Sequence, residues 1–94
     1  MNFDTRTVMD LINLNNEFRE SLFDIILEEQ SMIDSTDEFR DKVFVETVTP
    51  IIKSRIKDFL FRKELTKMNL GILKGTINLN NVDYKHLIED VTSF

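Results

Sequence analysis

From Asp4 to about Ile33 the apolar residues recur at helical rather than strand spacing. Placed at roughly 100° per residue, Val8, Leu11, Leu14, Phe18, Leu22, Ile25 and Ile26 fall within one arc, and Met32 and Ile33 return to it. Asp10, Glu17, Glu20, Asp24 and Glu28 gather on the opposite side. This pattern predicts one long amphipathic helix over about 4–33 with a strongly acidic outer face. Leu11, Phe18, Ile25 and Met32 also repeat at sevens, and Asn15 would then be a polar seam residue of a coiled coil. The seam is short and Glu29 lies on it, so an ordinary globular helix is the favoured reading. The run Asn13 to Asn16 offers a break into two helices.

Ser35 followed by Glu38 has the form of a capping box, which starts a second helical region near Thr36. That region runs over about 36–74 and kinks or restarts at Pro50, which lacks an amide donor. The β-branched cluster from Val43 to Thr49 makes a strand the rival just before the proline. Beyond it Ile52, Ile56, Phe59 and Leu60 share a face, bordered by Lys53 and Lys57. A bend is expected near Phe61, followed by a shorter apolar stretch with Leu65, Met68, Ile72 and Leu73 that ends at Gly75. Residues 76–80 alternate as an extended connector, with a short β segment as the rival reading. Asn80 or Asn81 then caps a last helix over about 81–92 with Tyr84, Leu87, Ile88 and Val91 inward. The expected fold is an all-α, single-domain bundle of four to five helices spanning 1–94.

Charge sharpens this picture because the two halves differ in sign. Residues 1–48 hold twelve acids against four bases, and residues 49–94 five against eight. The 94 residues leave room for one core, and with no cysteine the fold rests on packing rather than disulfides or thiolate-bound zinc. The first ten residues contain no apolar run of the kind a signal peptide or membrane span needs, so a cytoplasmic setting without membrane contact is the default expectation. The shortage of Ala, Gly and Pro beside abundant Asn, Ile, Lys and Phe follows AT-rich codons, a bias common among phage accessory genes.

The inventory for chemistry is thin. His86 is the one histidine, and no His-x-x-x-His or Glu-x-x-His pattern accompanies it. The acids of 34–41 lack the alternation and central glycine of a calcium loop, and Lys74-Gly75-Thr76 lacks the rest of a phosphate loop. Neighbouring carboxylates such as Glu28 and Glu29 point about 100° apart on a helix rather than converging. No catalytic residue, cofactor or metal ligand is therefore assigned, and a non-enzymatic role is expected.

Two surfaces remain as candidates. The acidic face of Asp10, Glu17, Glu20, Asp24 and Glu28 suits a regulator or inhibitor that binds another protein, a second copy of itself in a homodimer or a host or cellular target, with imitation of a nucleic-acid phosphate rail as one mode. The basic stretch Lys53, Arg55, Lys57, Arg62, Lys63 and Lys67 supports the alternative of a nucleic-acid-binding accessory protein, although a net charge of −5 opposes approach to polyanions. Eight phenylalanines are many for so small a core, and their surplus argues for an interface.

Overall fold

The structure, a computed structural model, describes residues 3–32, 37–62 and 76–93, with the side chains of 37–41 left out of account. Four α-helices make up most of these residues: α1 (Phe3–Leu14), α2 (Asn16–Met32), α3 (Asp37–Phe61) and α4 (Tyr84–Thr92). A 3-10 turn at Leu79–Asn81 precedes α4, and no strand occurs among the described residues. The all-α bundle expected from periodicity is the fold.

The single helix expected over 4–33 is two helices, divided at Asn15. The Asn15 amide bonds to the Ile12 carbonyl at 3.3 Å, closing α1. Its side-chain oxygen then accepts the Phe18 amide at 2.9 Å and its carbonyl accepts the Arg19 amide at 3.0 Å, which opens α2. Asn15 thus acts as an N-cap and not as a coiled-coil seam residue. Leu14 and Met32, expected on the apolar arc, are the last residues of α1 and α2 and are exposed, while Ile12 is fully buried.

Asp37 starts α3 close to the expected position; the Ser35–Glu38 capping box lies outside the described residues and side chains. The strand rival over Val43–Thr49 is not realised, since α3 is helical through that cluster and on through Pro50, where the sequence predicted a kink or restart. Pro50 cannot donate to the Glu46 carbonyl, but Glu46 and Pro50 are both exposed, so water can satisfy that carbonyl. One residue earlier the Thr49 hydroxyl donates to the Val45 carbonyl at 2.6 Å. The stretch with Leu65, Met68, Ile72, Leu73 and Gly75 lies outside the described residues.

α2 and α3 form an antiparallel pair. Phe18, near the start of α2, stacks on Phe59, near the end of α3, with ring centroids 4.1 Å apart and planes 7° apart. Offset or stacked aromatic contacts of this kind add about 0.5–1.5 kcal/mol to area burial. Ile26, Ile52, Ile56 and Val48 continue the seam inward, and Val8, Leu11 and Ile12 of α1 and Leu87, Ile88 and Val91 of α4 close the core. Between α3 and α4, Ile77 of the connector and Leu79 of the 3-10 turn pack against the same cluster, with no strand formed there. The cap of the last helix is Asp83, not Asn80 or Asn81: its carboxylate accepts the His86 amide at 3.2 Å. Asn78 instead caps the 3-10 turn through the Asn80 amide at 3.0 Å.

Polar ties fasten the first helices to the last. Thr5 is fully buried, and its hydroxyl accepts the Asp83 amide at 2.8 Å, joining α1 to the start of α4. At the other end of α4, Arg19 donates to the carbonyls of Asp90 at 2.6 Å and Ser93 at 3.2 Å, and to the Asn13 side chain at 2.5 Å. A cation at a helix C-terminus is favourable to the macrodipole as well as to the carbonyls left without helical partners.

Candidate interaction surface

All five acids singled out from the sequence are exposed. Asp10 belongs to α1; Glu17, Glu20, Asp24 and Glu28 belong to α2, where they fall within an arc of about 80° at the roughly 100° per residue of an α-helix. The break at Asn15 therefore separates Asp10 from a row of four. The basic residue of α2, Arg19, is turned to the opposite side, where it lies 3.5 Å from Asp90 Oδ2 and clamps the end of α4. Its donors reach Asn13 and the carbonyls, and the guanidinium stays within ion-pair range of Asp90 Oδ2, a buried oxygen without a hydrogen bond among the described residues. The outer row of carboxylates is left uncompensated by its own helix.

Of the six bases singled out, four are described; Lys63 and Lys67 lie outside the described residues. They do not form one patch. Lys53 is half-buried and its ammonium donates to the Asn80 side chain, which ties α3 to the 3-10 turn. Lys57 is exposed beside it, and both border an open depression of about 410 Å³ with Leu60, Phe61, Ile77 and Asn80. Arg55 and Arg62 sit seven residues apart on another edge of α3 and are also exposed. Arg62 borders a second depression of about 230 Å³ together with Asn15, Glu17, Phe18, Ser21 and Phe59. The acidic row of α2 and the Arg55–Arg62 edge of α3 consequently flank the same helix seam.

The aromatic surplus is partly a surface. Phe3 and Phe61 are exposed at 70% and 68%, and Met32 at 73%, while Phe23 and Phe44 are packed against the core cluster. His86 is exposed on α4, and the described residues contain no group of three His, Cys, Asp or Glu placed to hold a metal ion. No described helix is long and apolar enough to cross a membrane. Sequence reasoning missed Arg19 and Thr5. Arg19 reads as one base diluted among acids, and Thr5 as one polar residue beside an apolar stripe; neither carries a local signal of its distant partner.

Comparison with known proteins adds no relative: no family model, curated protein or solved structure matches the chain.

Proposed function

We propose that the chain is a small non-enzymatic interaction protein, a regulator or inhibitor that docks the acidic row of α2 onto a basic groove of another protein. The observation that carries this is the alignment of Glu17, Glu20, Asp24 and Glu28 on one exposed face whose helix directs its single arginine elsewhere. Fixed, unneutralised carboxylates raise the rate and specificity of encounter with a positive surface. Carboxylates spaced along a rigid rod also present acceptors to a groove built for a phosphate backbone, so polyanion-binding proteins are the class of target.

Capture from cells of the native host tests the reading. Partners held by the wild type should be lost from a Glu17→Lys, Glu20→Lys, Asp24→Lys triple variant and displaced by heparin. Retention of the same partners by the folded triple variant would remove the acidic row from the mechanism.

A second reading has its own observation. Phe61 lies exposed beside Lys57 at the depression shared with Asn78 and Asn80, and an aromatic face next to a cation suits a stacked base and its phosphate. Binding of single-stranded nucleic acid in a gel-shift series, with a steep salt slope that disappears on changing Lys53, Arg55 and Lys57 to Ala, would support it. Absence of a shift at low ionic strength excludes it.

A further inference from the structure

Resting on the acidic-row reading, we propose that the same row also pairs with a second copy of the chain when its target is absent, placed by a two-fold axis that runs along the α2/α3 seam. α2 and α3 are antiparallel, with Phe18 stacked on Phe59 and Glu17 and Arg62 at the rim of one depression. Stepping seven residues forward on α2 reaches Asp24, and seven back on α3 reaches Arg55, the same rise of about 10.5 Å in each helix. An acidic row thus runs beside a basic edge, with Glu17 level with Arg62 and Asp24 near the level of Arg55. Among the described residues no ion pair joins these acids to these arginines within the chain. Asp58, exposed between Arg55 and Arg62 on α3, lowers the charge of that edge to a net +1, which is still opposite in sign to the acids of the facing copy.

Such a face is self-complementary for one orientation only. A two-fold axis parallel to the seam lays each copy's acids over the other's arginines at the same level, Glu17 opposite the partner's Arg62 and the reverse. An axis across the seam lays acid on acid, which costs free energy. The face is about 25 Å long and two helix diameters wide, roughly 500 Å² per copy, at the low end of specific interfaces. Association is accordingly weak and sensitive to salt.

Sedimentation velocity at millimolar protein and low ionic strength should give about twice the chain mass of 11.1 kDa, falling toward the monomer as salt is added. Glu17→Lys and Arg62→Glu, each folded by circular dichroism, should each sediment as monomers. Their equimolar mixture should recover the dimer, because both contacts of the mixed pair then join opposite charges; a contact confined within one chain would give no rescue on mixing. A monomeric wild type under these conditions overturns the second-copy inference and leaves the acidic row for a different protein. A dimer that survives both single variants, or single variants that stay monomeric when mixed, overturns this interface. The acidic-row reading itself fails separately, in the capture experiment with the triple variant.

Discussion

At the scale of single residues, Thr5 and Tyr84 are buried with their hydroxyls hydrogen-bonded, and removing one partner has a definite cost. Thr5→Val conserves volume but strips the acceptor from the Asp83 amide, which lies at the cap of α4. An orphaned buried donor costs about 1–3 kcal/mol, so urea denaturation should show a loss of that size, largely restored in Thr5→Ser. Tyr84 is the second such residue. Its hydroxyl donates to the Leu79 carbonyl at 2.7 Å, and burial pushes the phenol from its ordinary 10.0 up to about 12. The folded state therefore holds the proton that the unfolded chain releases first. Stability is complete below pH 10 and declines between about pH 10 and about 12, and Tyr84→Phe should remove that component of the alkaline decline in thermal melts. Tyr84 was legible as a core position from helical spacing, whereas its hydroxyl partner was not, because Leu79 belongs to a turn that periodicity reads as extended.

Helices were legible wherever apolar spacing persisted for several turns, and their joints were less so. The spacing of Leu22, Ile26, Ile52 and Ile56 placed α2 and α3 correctly on the core. One amide side chain decided the rest: Asn15 ends α1 and caps α2 with a continuous apolar pattern on both sides, so the periodic signal ran across the boundary. Asn15→Ala should destabilise the fold by about 1 kcal/mol, the usual cost of losing an N-cap, measured by chemical denaturation. Pro50 was read as a kink or a restart; α3 does not restart there but runs through it as one helix, with Glu46 and Pro50 both exposed. Whether a proline ends a helix depends on what can satisfy the carbonyl it leaves, and solvent access is not displayed by the linear chain.

For the molecule as a whole, Arg19 joins three elements, linking Asn13 at the end of α1, its own helix α2 and the last carbonyls of α4. Arg19→Met keeps the aliphatic stem and removes the donors; it also leaves Asp90 without its cation. Hydrogen bonds from charged groups contribute about 1.5–3 kcal/mol, so the variant should lose stability in that range, with amide exchange in α4 accelerated more than in α3. The charge asymmetry of the two halves was readable at once. That its two signs flank one seam was not, because it depends on the antiparallel pairing of α2 and α3.

The Thr5 to Asp83 bond spans 78 positions and the Arg19 to Ser93 bond 74. During synthesis α1, α2 and α3 emerge with Val8, Leu11 and Ile12 facing the place that Leu87 and Val91 will fill. The nascent chain consequently carries an open greasy trough until α4 clears the ribosome, and cooperative closure is a late event. A protein built this way completes its core only with its last helix, so any docking on the seam of α2 and α3 that needs the finished fold follows the arrival of α4.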